Sequence, residues 1–155
     1  MSALIFVFLL GCVAGLRSLS APAIVCWAAH FGWLHLAGTR LAFMNHPATL
    51  IIFTVLAAFE LVVDKLPKTP ARTAPIGLAA RVVLGGLSGA AAAAGSEIIP
   101  YLGAAAGSIG SLAGAFAGYN VRRTLVLRRR LPDFPLALTE DLIAIVGGPL
   151  ITRLV

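Results

Sequence analysis

GLRSLSAP, residues 15–22, decides how the front of this chain folds. Residues 2–16 carry no charge and neither do residues 18–39, so Arg17 stands alone in a long apolar tract. A single helix through all of it would be too long for one bilayer crossing, which takes about 20 residues. Pro22 restricts the residue before it, and Ser20 is a good helix-capping type. Two readings follow. Either two short helices, 2–16 and 21–37, reverse at Arg17, or the first element is broken or re-entrant. The opening residues resemble a signal h-region but lack a positive n-region, and the chain stays apolar straight through the small residues of SAPA. They are read as a retained membrane segment.

Working outward, the composition agrees. The chain is 59% hydrophobic and 12% charged, against about 25% charged in soluble domains. Mean hydropathy is +0.97. The sequence predicts an all-α, polytopic transmembrane helical bundle, a single integral membrane domain over residues 1–155. It has about five to six membrane segments, as the apolar lengths allow. The bilayer is then its first partner. The net charge of +6 does not point to nucleic acid, because aromatic residues do not interleave with the basic clusters. Cys12 and Cys26 form no CxxC and read as packing residues, with no disulfide, metal or cofactor expected.

The next segment runs from Pro47, with Asn45 as its cap, to Asp64. Pro67, Pro70 and Pro75 exclude a regular helix through LPKTPARTAP. Further helices are expected at 76–94, 99–120 and 138–152. Thr139 would cap the last, with Glu140 and Asp141 at the positive end of its dipole. Lys65, Lys68 and Arg72 cluster in one predicted loop, and Arg122, Arg123 and Arg128 to Arg130 in another. Two helices separate these loops, so both face one side. That side should be the cytoplasm, of a bacterial cytoplasmic (inner) membrane.

Glycines recur at intervals of four: Gly85 and Gly89, Gly103 and Gly107, then Gly110, Gly114 and Gly118. Such spacing lets helix backbones approach closely. It serves packing inside the chain or an interface between copies, and a homo-oligomer is expected because so small a domain has little interior for charge.

Glu60 and Asp64 share a helix face four residues apart, and like charges there repel. Asp64 can reach the interface, but Glu60 lies a turn deeper and needs a cation, a proton or a polar cavity. The predicted topology brings Arg17, Ser18, Glu60, Asp64, Arg72, Thr73, Arg81, Glu140 and Asp141 into one layer near the cytoplasmic face. Arg72 and Thr73 precede a helix start that could meet an anion. The layer can be a salt-bridge network tying irregular helix ends together, a vestibule for an ion or small anionic solute, or a catalytic site. The last has little behind it. No HExxH or serine elbow occurs, and His30 and His35 are five apart, which is poor spacing for shared ligation. Trp27 and Trp33 read as belt anchors.

Taken together, GLRSLSAPAIVCWAAHFGWL (15–34), FELVVDKLPKTPARTAP (59–75) and RVVLGGLSGA (81–90) resemble the DUF4126 family of small bacterial integral membrane proteins. The resemblance covers nearly the whole chain. It marks Gly15, Arg17, Ser18, Glu60, Asp64, Lys65, Pro67, Thr69, Pro70, Arg72, Arg81 and Gly85. It implies membrane location and imports no reaction. The function expected first is passage of a small solute or ion through a channel-like or transporter site. The alternatives are a structural or assembly protein whose charges pair internally and, behind both, a lipid-processing enzyme.

Overall fold

A computed structural model of the chain describes residues 2–64, 74–96, 98–129 and 133–155. Their regular secondary structure is helical, with no strand among the described residues. The elements are α1 (Ser2–Leu16), α2 (Ser20–His30), α3 (Pro47–Val63), α4 (Pro75–Gly95), α5 (Pro100–Arg129), α6 (Asp133–Leu142) and α7 (Gly148–Leu154). A π-helical turn, Ile143–Gly147, joins α6 to α7, and a short 3₁₀ turn, Ala42–Asn45, precedes α3. Two stretches, Pro75–Gly95 and Pro135–Leu154, are long and apolar enough to cross a membrane, while α1 and α3 are apolar but shorter.

The break at Arg17 is a reversal. The end of α1 approaches α4 at Arg81, whose Nε donates to the Gly15 carbonyl at 3.1 Å. The segment after α2 lies against the far end of α4, with Leu34 beside Gly95. The second helix stops at His30, not near residue 37. Gly32 and Gly38 have φ of 74° and 80°, a region other residues avoid, and the chain turns there.

Three further expectations are corrected. His46, not Asn45, caps α3, its Nδ1 accepting from Ala48 N at 3.2 Å. The stretch 122–129 is not a loop, because α5 continues to Arg129. VRRTLVLRR contains good helix formers and neither glycine nor proline, and its arginines suit a helix C-terminus. The last helix starts at Asp133 rather than 138, with Pro135 tolerated in its first turn. Thr139 therefore does not cap it: its hydroxyl donates to the Leu136 carbonyl at 2.8 Å. Glu140 and Asp141 lie inside a helix rather than at its start.

The centre is a glycine-lined contact of α1, α4 and α5. α1 runs parallel to α5, with Gly11 against Gly107 and Gly15 against Ser111 and Ala115. α4 runs antiparallel to α5, with Gly89 against Gly103 and Gly85 against Gly107. Gly110 and Gly114 meet Phe8 and Cys12 on α1. Gly118 is buried further along α5. The interval-of-four pattern thus serves packing within the chain. At this density buried hydroxyls need nearby acceptors. Ser88 and Ser111 donate to carbonyls of their own helices at 2.8 Å, and Ser108 crosses to the Val82 carbonyl at 3.2 Å. α2 packs between α3 and α7 and has a buried face that includes Ala21, Val25 and Cys26.

A candidate structural charge site at a helix reversal

Arg17 ends the first helix, and its backbone N–H still bonds to the Val13 carbonyl at 2.8 Å. Its side chain therefore projects into the junction where α1 stops, α2 starts, α3 ends and α6 passes. It is completely buried. Nη1 pairs with Asp64 Oδ2 and Nη2 with Asp141 Oδ1. Only the Asp64 contact has hydrogen-bond geometry, and Nε has no hydrogen-bond partner among the described residues. One guanidinium thus links the C-cap of α3 to the middle of the last helical stretch. The planar fork of arginine makes such a double contact possible, whereas lysine presents a single point charge.

Glu60 does something the sequence did not reveal. Among the described residues its partners are Ser18 and Leu19, at the turn into α2, rather than Arg17 or Arg81. Oε1 accepts from Ser18 N at 2.8 Å and from the Ser18 hydroxyl, and Oε2 accepts from Leu19 N at 2.8 Å. The first amides of a helix have no intrahelical acceptor and carry the positive end of its dipole. α2 has no side-chain cap of its own, and a carboxylate from α3 supplies it. A Glu60→Gln substitution replaces one acceptor oxygen with a donor facing an N–H. It should cost about 1–3 kcal/mol, the usual penalty for an unsatisfied buried group. Thermal unfolding of the purified variant measures this.

Arg81 is buried on α4 and donates to Gly15 O and, through Nη1, to Gly77 O, both at 3.1 Å. It holds the end of α1 by its carbonyl. Arg17, Ser18, Glu60, Asp64, Arg81 and Asp141 therefore converge, and Glu140 lies beside Asp141 on a half-buried position of the same helix. Arg72, Thr73, Lys65 and Lys68 lie outside the described residues.

The layer is deep. Gly15 is level with Ser111 and Ala115 of α5. Arg122 lies about 10 Å further along that helix, at about 1.5 Å per residue. Asp141 lies about 12 Å inside the start of α6 on the same basis. A charge at such depth in an apolar bundle persists only with a partner.

A cavity of about 370 Å³ lies next to this layer, between α2, α3 and the start of α7. Trp27, Trp33, Ala57 and Pro149 are among its walls, and none of the charged residues lines it. Sequence spacing alone did not reveal this cavity, because its walls come from three separated segments.

Residues 4–151 match the sequence profile of DUF4126, described as a domain of unknown function. Neither a curated protein nor a solved structure matches the chain.

Proposed function

Since the chain belongs to the DUF4126 family, whose description carries no activity, we propose from the geometry that it is a structural or assembly protein of the membrane. Its buried charges then act as an internal lock. One observation carries this reading: Arg17 is fully enclosed and paired with Asp64 and Asp141, while both Glu60 oxygens are taken by the start of α2. Enclosed in this way, Arg17 presents no exposed face to a passing solute, and the residues lining the neighbouring cavity include no charged side chain. Those two facts rank the structural reading above the solute or ion pathway expected from sequence. A buried ion pair contributes little net stability compared with apolar packing. Its use here is to fix which helix ends meet.

The reading extends to topology. The chain forms one integral domain, in which α1 to α5 and the stretch from α6 to α7 make six segments, α2 being the short one. With the arginine-rich end of α5 in the cytoplasm, the segment between α2 and α3 and the end of α7 face the other side. Single cysteines at Thr39 and Thr124, in a background without Cys12 and Cys26, test this with a membrane-impermeant maleimide on intact cells. Thr39→Cys should label and Thr124→Cys should not, and the reverse pattern would invert the topology.

The lock is tested at Ser18. A Ser18→Cys variant in proteoliposomes should resist a small charged methanethiosulfonate reagent and react after denaturation. Rapid labelling in the folded protein would mean that water reaches the charges, and the solute-pathway reading would replace this one.

A further inference from the structure

We infer that the cavity beside α2 is a lipid groove that holds one acyl chain of an anionic phospholipid, with its headgroup at Arg153. The floor of the groove is one face of α2: Ser20, Ala23, Ile24, Trp27, Ala28 and Phe31 recur at helical intervals of three and four. One wall is α3, through Thr54, Ala57, Ala58 and Leu61, at the same intervals. The other wall is Ile145 in the π-helical turn and Pro149 in α7. α3 and α7 each pack on α2 but share no packed interface with each other. They leave a cleft along α2, and small side chains keep it open. From Ser20 to Phe31 it runs for about 16 Å of helix. Its volume of about 370 Å³ falls in the range of ligand pockets.

The lining supplies almost no polar group. The Trp27 indole N–H is already used, donating to Thr54 Oγ1 at 3.1 Å, and that hydroxyl donates to the Leu50 carbonyl at 2.7 Å. An apolar chain is therefore the chemistry that fits. The two ends differ in charge. Near the Ser20 end the carboxylates of Glu60 and Asp64 are already engaged, by Ser18 and Leu19 and by Arg17. At the other end Trp27 stacks on Phe31 and Trp33 lies tilted against the same ring, with centroids 5.4 and 5.5 Å apart. There the exposed Arg153 guanidinium lies 5.9 Å from the Trp33 ring centroid. A headgroup placed at the aromatic end meets an exposed cation and a tryptophan belt, whereas Arg17 near the other end is buried between Asp64 and Asp141. That polarity selects a phosphodiester with net negative charge and sets its direction in the groove.

The inference rests on the membrane-embedded reading above, and the protein carries its own probe for it. Trp27 and Trp33 are its only tryptophans, and both line the groove. The whole protein is reconstituted into phosphatidylcholine vesicles containing a minor fraction of phosphatidylglycerol with matched chains, one lipid or the other brominated on its acyl chains. Bromine quenches tryptophan on contact. Brominated phosphatidylglycerol should quench about fivefold beyond its share of the bilayer, the attraction one arginine exerts on an anionic lipid. Arg153→Gln should remove that preference and leave quenching by brominated phosphatidylcholine unchanged. Ala58→Phe should fill the groove and lower quenching by both lipids, with Ala58→Leu as the milder variant if the first unfolds. Quenching by phosphatidylglycerol in proportion to its abundance, or insensitive to Ala58→Phe, overturns the groove and leaves the membrane reading standing. No quenching by either lipid overturns both readings. Weak quenching together with a dimer mass in native mass spectrometry assigns the groove to a second copy of the chain and overturns the lipid.

Discussion

Arg17→Met should be among the most damaging single substitutions in this protein, while the combination Arg17→Met, Asp64→Leu, Asp141→Leu should recover most of the loss. The single change takes away the cation that Asp64 and Asp141 both face, and both acids are largely buried. Breaking a buried ion pair by removing one partner costs about 3–5 kcal/mol. That is a large fraction of the roughly 5–15 kcal/mol that holds a domain folded. The triple variant removes the desolvated charges together, and such replacement by apolar groups is often neutral or better. Arg17→Lys should fall between the wild type and Arg17→Met, because one ammonium cannot fork to Asp64 and Asp141 as a guanidinium does. Thermal unfolding in one detergent compares all four proteins. A stable Arg17→Met variant would show that the two acids do not depend on this cation, and the lock would lose its central member.

Gly107→Ala should be strongly destabilising, and Gly107→Leu should not fold. A Cβ at this position would lie 2.2 Å from the Gly85 carbonyl oxygen, and the Gly85 carbonyl carbon and the Gly89 Cα are 3.1 Å away. These are backbone atoms of a neighbouring helix, so no rotamer change relieves the clash and α4 must move away from α5. Overpacking of this kind costs about 1–3 kcal/mol and more where the backbone cannot yield. Gly147→Ala is the matched control. Nothing lies within 4 Å of a Cβ there, so its change should stay within about 0.5 kcal/mol, as for substitutions away from packed features. Equal melting temperatures for the Gly107→Ala and Gly147→Ala variants would contradict the close approach of the three helices.

The two substitutions probe features that differ in how far the sequence disclosed them. The interval-of-four glycines were legible because helix periodicity puts them on one face regardless of what that face meets. Whether the face meets α1 and α4 or another copy of the chain is a matter of tertiary contact, and the spacing is identical in both cases. The charge layer was legible in the same partial way. Parity of the basic clusters and the apolar lengths brought Arg17, Glu60, Asp64, Arg81 and Asp141 to one end of the bundle. The pairing within that layer was not legible, because an acid at membrane depth needs a partner and the sequence offers several. Glu60 shows the consequence. Arginine was the obvious partner by charge, yet it accepts from backbone amides at the start of α2, donors that every sequence has and none announces.

The errors on either side of the basic run share one physical cause. α5 continues through the basic run, and the last helix begins at Asp133, because charge does not end a helix unless proline or glycine interrupts the backbone. Reading arginine clusters as loops confused a topological signal with a conformational one. The π-helical turn at Ile143–Gly147 leaves no periodic trace in so short an apolar stretch, and with Pro149 it shapes one wall of the groove.

That this chain is helical, that its apolar segments and sparse charges suit a bilayer, and that it belongs with DUF4126 could all be read from the residues alone. These properties follow from composition, local periodicity and the residues at 15–34, 59–75 and 81–90. It took the packed helices to establish that Arg17 reaches both Asp64 and Asp141, that Glu60 caps the start of α2, that the glycines pack within the chain, and that α3 and α7 leave a cleft along α2. Each of these depends on distances between segments far apart in the chain, and such distances are set by how whole helices pack, which the residues of any one segment do not encode.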